Sequence, residues 1–309
     1  MGAGAVYALV LTALCLSVHA STWLQQPYSS FEKGAHPPKT LTLLEGTFPR
    51  GSAVTEATSG RVLIRDAEDV VEEHPFSGSL VPFEPAYKGS YHVVAEYRHI
   101  EGETLHVTLA KLRTYNRHGD MKEALLNEVR GKTVGTHYGK EPFARLPFEV
   151  VQYKPLKQHH INCCIYSGDM ARFRIFYKGK PQTGIALDVV TQKGWRNRIE
   201  AGEDGMIAFE VPRTTYADIH TDKRHSERML VEASYTVDEP GTFEGIPYRK
   251  VRYTMSQPLR FYASPLEYAS QLPGFLTAIG VMLAFGLGAY YHRRRKRKAP
   301  REIWFDEDA

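Results

Sequence analysis

The fold of this chain is decided by residues 167–181, SGDMARFRIFYKGKP. The two ends of the stretch, Ser-Gly-Asp and Lys-Gly-Lys-Pro, consist of residues that accept tight-turn geometry. Between them lies the run 172–177, in which arginine alternates with apolar or aromatic side chains up to Ile175 and two aromatic residues follow. A short run of period two, rich in aromatic residues and bounded by turn residues, predicts a β-strand that enters and leaves through hairpin turns.

The same pattern recurs along the chain. Downstream, an apolar run at 185–191 is followed by Glu-Asp-Gly at 203–205 and by MIAFEVP at 206–212. Upstream, residues 91–97 and 104–109 are further short runs rich in β-branched or aromatic residues. Because short strands separated by turn residues are typical of sandwiches and barrels, we predict a mainly β fold of sandwich-like modules resembling immunoglobulin or transthyretin domains.

One segment outside the β runs has helical character. Residues 120–130, DMKEALLNEVR, begin with Asp, carry apolar residues inside and are followed by glycine, which are helix start and stop signals.

A change of pattern near 147–155 suggests a domain boundary. We therefore predict an N-terminal β domain at 21–155, containing this connecting helix, and a second β-sandwich at 156–262.

The N-terminal end is interpreted as a targeting signal. Residues 5–18 form a short apolar core, which is followed by Val-His-Ala and then by polar Ser21. This arrangement is typical of a secretory signal peptide, so we expect residues 1–20 to be removed; an uncut anchor is the alternative, because no Lys or Arg precedes the apolar run. Of the three cysteines, only Cys163 and Cys164 then remain, and the exported protein must be held together by its core rather than by spaced disulfides.

The C-terminal end predicts a membrane anchor. Residues 272–291 contain no charge, and twenty helical residues at about 1.5 Å each cross about 30 Å of hydrocarbon. A basic run begins at once within residues 292–309, and clustered Lys and Arg beside a span stay in the cytoplasm. We expect a tether at 263–271, one span, and a cytoplasmic tail, with the bulk of the chain periplasmic at the cell inner membrane.

The net charge of +4 does not indicate a nucleic-acid partner. Residues 293–309 hold seven basic and four acidic side chains, so that only +1 remains in the rest of the chain. The excess positive charge is therefore a topology signal beside the membrane, and we expect no nucleic-acid binding.

Three stretches carry a resemblance to a known family. The order of turns and strands at 167–212 resembles the transthyretin-like or immunoglobulin-like modules of many exported bacterial proteins. WLQQP at 23–27, LPFEVV at 146–151 and MLVEASY at 229–235 look like a periplasmic family associated with nickel and cobalt uptake. The resemblance implies two β domains with a C-terminal anchor, and a partnership with the membrane subunits of a metal importer. The histidine that this family often carries at its mature N-terminus is replaced here by Ser21 and Thr22.

The strongest candidate metal ligands lie just before the opening stretch, in QHHINCC. Imidazoles and thiolates are good ligands for nickel, cobalt, zinc and copper. In an extended strand, however, neighbours point to opposite faces, so His159 would share a face with Cys163, and His160 with Cys164. One alternative is structural, with the cysteines as small strand-edge side chains and the histidines covering a domain junction, and another is a redox or intermolecular disulfide role of the cysteines.

Other histidines are weaker candidates. His220 and His225 lie in a loop with two carboxylates, but Lys223 and Arg224 beside them would repel a cation, and a solvated loop is the alternative. Three further histidines recur at seven-residue intervals: His92, His99 and His106. We interpret them as separate residues that do not form a common site, because an odd spacing within a strand places successive side chains on opposite faces.

The predicted span carries a stripe of small residues. Gly280, Ala284 and Gly288 recur every four residues and share one helix face, which allows a second helix to approach closely. The stripe favours a partner in the membrane, either the subunits of an importer or a second copy of this chain. Glycine is also tolerated in membrane helices without such a role.

No catalytic motif is present. The sequence contains no Gly-x-Ser-x-Gly elbow, HExxH pair or P-loop, so we expect that the protein is not an enzyme. The leading hypothesis is a membrane-anchored periplasmic component that captures nickel or cobalt for an uptake system. The alternative is a structural module that binds a protein or a glycan of the cell envelope without metal chemistry.

Overall fold

The computed structural model describes residues 20–26, 40–54, 59–66, 69–85, 89–116, 142–156, 165–213, 225–264 and 272–296. Within these ranges the chain is mainly β with one helix near the C-terminus, which confirms the predicted fold class. The strands are β1 (Ser21–Gln25), β2 (Leu41–Thr47), β3 (Arg50–Ala53), β4 (Ser59–Arg65), β5 (Val71–Ser77), β6 (Leu80–Val81), β7 (Gly89–Glu101), β8 (Thr104–Asn116), β9 (Phe148–Leu156), β10 (Ile165–Tyr166), β11 (Met170–Tyr177), β12 (Lys180–Pro181), β13 (Ala186–Thr191), β14 (Arg196–Glu200), β15 (Met206–Glu210), β16 (Ser226–Phe243) and β17 (Ile246–Tyr262), and the helix is α1 (Leu272–Lys296). The predicted connecting helix at 120–130 and the predicted signal up to residue 19 lie outside the described residues.

The chain divides into two compact units. The first contains residues 1–215 and 223–263, and with them every described strand; the second contains the C-terminal helix α1. Each unit is considered by itself below.

The first unit is organised around a nine-stranded central sheet. Its order is β14-β13-β16-β17-β8-β7-β4-β5, and β10 lies beside β17. The pairing is antiparallel except at β17, which runs parallel to β8 and to β10. Strands from both sides of the predicted boundary at residue 155 therefore lie in one sheet. The boundary itself stays a prediction.

The central sheet is covered on both faces, because neighbouring residues of one strand pack against different sheets. On β7, Val93 and Ala95 pack with Leu24 and Leu43 of the N-terminal sheet, formed by β1, β2, β3 and β6. Val94, between them, belongs to the cluster that includes the third sheet, formed by β9, β11, β12 and β15. The core of the first unit is thus two apolar layers separated by one sheet.

The opening stretch folds as its pattern predicts. Strand β11 buries Ala171, Phe173 and Ile175, and the Phe173 ring stacks on that of Phe209 in β15 with centroids 5.8 Å apart. The turn that follows places Lys178 at φ 49° and Gly179 at φ 76°. Glycine at the second position accepts this left-handed backbone without a steric penalty, so the chain reverses into β12.

A buried ion pair links the central sheet to the third sheet. The side chains of Lys111 in β8 and Glu149 in β9 are each 1% exposed, and the Lys111 Nζ donates to Glu149 Oε1 at 2.5 Å and to the Val150 carbonyl at 3.1 Å. The other carboxylate oxygen accepts the backbone N–H of Phe143 at 2.6 Å. Burial lowers the pKa of Lys111, against the opposing effect of Glu149.

The second unit contains a helix that is long and apolar enough to cross a membrane. Residues 274–296 have a mean hydropathy of 1.6 in their most apolar window, and among the described residues no other helix meets this test. Four basic residues, Arg293 to Lys296, form its last turn. A Cβ atom added at Gly280 or Gly288 would meet no atom within 4 Å, so the stripe that these residues form with Ala284 is open.

Candidate metal centre

Most of the ligands predicted from the sequence lie outside the described residues. This applies to His159, His160, Cys163 and Cys164, and also to His220. The remaining candidate, His225, precedes β16, and its carbonyl accepts the N–H of Ala263 at 3.1 Å. Within the described ranges, His225 does not belong to a group of three side chains that could share an ion.

A different pair of histidines is brought together by the hairpin of β7 and β8. Gly102, at φ 61°, and Glu103 form its turn, and the register places His99 directly opposite His106. Glu101 lies two residues after His99 and therefore on the same face of the sheet. The hairpin thus presents two imidazoles and one carboxylate at its tip.

The three side chains are close enough to share one ion. Their ligand atoms all lie within 4.8 Å of one another, and Nε2 of His106 is 3.5 Å from Oε2 of Glu101. The two imidazole rings stack with centroids 4.9 Å apart at an angle of 16°. Glu101 is 79% exposed and His106 is 20% exposed, so an ion can reach the group from solvent.

An aromatic contact supports His99, one of the three side chains of this group. Tyr97, two residues before His99, stacks on its ring with centroids 6.2 Å apart. The Tyr97 hydroxyl lies 3.1 Å from Oγ1 of Thr22 in β1. His99 is therefore supported by a residue that is itself tied to the N-terminal sheet.

The surroundings favour the neutral form of His106. Partial burial lowers the pKa of His106, the neighbouring His99 and Arg252 act in the same direction, and Glu101 opposes them. Arg252 lies opposite His106 in the parallel pairing of β17 with β8. A neutral imidazole is the form that binds a metal, although the positive charge of Arg252 weakens the attraction for a cation.

The interpretation of His92, His99 and His106 as separate residues was wrong for the last two. Odd spacing reverses the face within one strand, but a hairpin turn between the two residues folds the chain back and restores a common face. His92 lies opposite Arg113 in the same hairpin and is buried away from the tip. The signal for the pairing was the Glu-Gly-Glu sequence at 101–103 between two alternating runs.

Two imidazoles and a carboxylate form a ligand set suited to a divalent transition metal. Such a set does not select one metal by itself. Three protein ligands leave coordination positions for water or for a ligand from another molecule, as in exchangeable and catalytic sites rather than in closed structural ones.

Comparisons with known proteins add little to this geometry. No family model matches the sequence, and no curated protein matches it. A solved structure described as "Biofilm associated protein - BSP domain" aligns with 71% of this chain at 10% sequence identity and a TM-score of 0.17. The chain spans 27% of the length of that solved chain. A similarity at this TM-score carries no argument about fold or function.

Proposed function

We propose that this protein is a membrane-anchored metal-capturing component of a nickel or cobalt uptake system. The observation that carries the proposal is the group of His99, Glu101 and His106 at the tip of the β7–β8 hairpin. Neutral imidazoles with open coordination positions bind a divalent ion and can pass it to a partner with more ligands. The choice of nickel or cobalt comes from the sequence resemblance, since this ligand set also suits zinc and copper.

The placement of the protein in the cell follows from its C-terminal segment. Basic residues fill the last turn of the apolar helix α1, and such residues stay on the cytoplasmic side of a membrane. We therefore place the β region in the periplasm, the helix in the inner membrane and the C-terminus in the cytoplasm. An ion bound at the hairpin is then captured outside the membrane that the importer must move it across.

The metal site is tested by titrating Ni²⁺ and Co²⁺ into the full-length protein in detergent. Replacing His99→Ala or His106→Ala should weaken binding at least about tenfold, since even changes around metal ligands reduce affinity by about ten- to a hundredfold. The heat of binding measured by calorimetry gives the dissociation constants.

A matched control is available on β5. The exposed imidazole of His74 lies 3.4 Å from a carboxylate oxygen of Glu72, so His74→Ala removes a histidine–carboxylate pair from the same β region. This variant should bind as the wild type does. Equal affinity in all three variants would remove the hairpin as the site, and undiminished nickel and cobalt uptake after gene deletion would contradict the transport role.

The membrane partner is tested at the small-residue stripe of α1. The triple replacement of Gly280, Ala284 and Gly288 by Leu should reduce crosslinking to a partner subunit or a second copy at least about fivefold, because a helix contact of about 1 kcal/mol is lost. Leu at Gly286, which lies at least 120° around the helix from each residue of the stripe, provides the control. An unchanged crosslinking pattern in the triple variant would contradict a role for the stripe.

A further inference from the structure

A second candidate site lies on the other face of the central sheet. A cleft of about 450 Å³ opens beside β4, β7, β8 and β17, and its lining includes Arg61, Arg98 and Arg145. We call it the arginine cleft. Leu105 and Val107 of β8 line it, whereas His106, between them, points to the opposite face, so the cleft is separate from the metal centre.

Two of the arginines are held in place from behind by one buried carboxylate. Glu96 is 2% exposed, and its Oε2 accepts from Nε and Nη2 of Arg61 at 3.0 and 2.8 Å. Its Oε1 accepts from Nε and Nη2 of Arg98 at 2.9 and 2.5 Å. Both guanidinium groups are therefore oriented before any ligand arrives, and such preorganisation reduces the entropy lost on binding.

The arginines retain donors that this carboxylate does not use. A guanidinium has five N–H donors, and Arg98 engages only its Nε and Nη2 atoms with Glu96, which leaves Nη1. Arg145 is 58% exposed and makes a 3.3 Å ion pair with Glu73. Guanidinium groups bind carboxylate and phosphate oxygens through two parallel hydrogen bonds.

The charges around the cleft favour an anion. Lys178 is the fourth cation of the lining, and the one carboxylate of the lining, Glu239, is engaged by Lys178 Nζ at 3.0 Å and by the Tyr177 hydroxyl at 3.2 Å. Adding Glu73 and Glu96, four cations meet three carboxylates among the described residues, which leaves an excess positive charge.

Part of the lining is apolar and includes a hydroxyl donor. Leu105, Val107 and Val251 contribute to this part, together with Tyr253. Burial raises the pKa of Tyr253 to about 12, with Glu239 acting in the same direction, so its hydroxyl stays protonated and can donate. A volume of about 450 Å³ lies within the range of small-molecule sites.

We propose that the arginine cleft binds a small organic anion. Its carboxylate or phosphate group is held by Arg98 and Arg145, and its carbon skeleton lies on Leu105 and Val107. This site does not depend on metal capture, and it assigns to the protein a second ligand with a different chemistry.

The proposal is tested with succinate, glycerol phosphate and inorganic phosphate as probes, titrated into the full-length protein in detergent without added metal. At least one organic probe should bind, and Arg145→Gln should weaken its binding about tenfold, equivalent to about 1.4 kcal/mol. Which of the two organic probes binds more tightly identifies the acidic group. Arg145 is exposed and makes one ion pair, so an unchanged thermal midpoint will show that the variant is folded.

The control is Arg198→Gln on β14. Arg198 is 70% exposed and paired with Asp188, which matches Arg145 in charge and environment but lies outside the cleft. Binding should be unchanged in this variant. The proposal is overturned if neither organic probe binds at about 10 mM, which corresponds to less than about 3 kcal/mol of affinity. It is also overturned if Arg145→Gln and Arg198→Gln bind alike, or if inorganic phosphate binds as tightly as the organic anions.

Discussion

Replacing Glu149→Ala should reduce the free energy of unfolding by about 3–5 kcal/mol, because it leaves a buried charge without its partner. Among the described residues, the Lys111 ammonium would keep only the Val150 carbonyl as an acceptor, and the N–H of Phe143 would lose its carboxylate oxygen. Neither group can turn to solvent, since the Lys111 side chain is 1% exposed and Phe143 is 2% exposed. Chemical denaturation of the full-length protein in detergent, followed by near-UV circular dichroism, measures the change.

Two further variants separate the buried charge from other effects. Replacing both partners, with Lys111→Met and Glu149→Leu, should recover part of the loss, because apolar residues leave no charge to desolvate, whereas the N–H of Phe143 still lacks its acceptor. Asp188→Ala breaks the exposed pair with Arg198 and should change stability by at most about 1 kcal/mol. A loss at Glu149→Ala as small as that of Asp188→Ala would show that the buried pair does not stabilise the junction between the sheets.

The affinity of the hairpin site for a metal ion should fall steeply as the solution is acidified. Each imidazole must be unprotonated to bind the ion, so in acid each pH unit should lower the affinity by a factor of about ten for each histidine ligand, or roughly a hundredfold for the pair. Partial burial and the nearby His99 lower the pKa of His106. His106 therefore stays neutral and available to a lower pH than an ordinary histidine, and the loss of affinity should develop below about pH 6.5.

The pH experiment is a series of Ni²⁺ titrations between about pH 8 and pH 5. The variant His99→Ala retains one imidazole of the pair. A plot of the logarithm of its Ni²⁺ affinity against pH should therefore have about half the slope of the wild-type plot. Binding that is unchanged over this range, or that strengthens in acid, would exclude neutral imidazoles as the ligands.

The strands could be predicted from the sequence because their determinants are local. Residues 104–109 and 172–175 alternate in polarity and lie within β8 and β11, and residues 91–97, rich in β-branched and aromatic side chains, lie within β7. Residues 206–210 form β15 directly after the Glu-Asp-Gly turn. Side-chain period and turn chemistry are properties of a few consecutive residues, which explains why they can be recognised without knowing the rest of the chain.

The pairing of distant strands could not be predicted in this way. Val251 lies opposite Leu105 in the parallel pair of β17 and β8, although about half of the chain separates them. No local pattern specifies which of several apolar strands will be neighbours in a sheet. For the same reason, the arginine cleft could not be predicted from the sequence. Its three arginines, Arg61, Arg98 and Arg145, belong to separate parts of the chain.

The candidate metal centre could be predicted from the sequence only in part. His99 and His106 are close in sequence, and their meeting depends only on where the chain turns. Had the Glu-Gly-Glu sequence been interpreted as a hairpin turn, the register would have followed, because a two-residue turn fixes which residues lie opposite each other. The predicted ligands at 159–164 remain a prediction.

The parallel pairing of β8 with β17 also bears on how the protein folds. Strand β7 can pair with one edge of β8 through a short hairpin, but the strand that pairs with the other edge lies more than a hundred residues further along the chain. Until that strand arrives, β8 presents an open edge, which can pair with the strands of other incompletely folded chains. Contacts of such long sequence separation also form slowly. The final strand before the membrane helix is therefore the one that closes the sheet, and chains truncated before residue 246 should aggregate rather than fold.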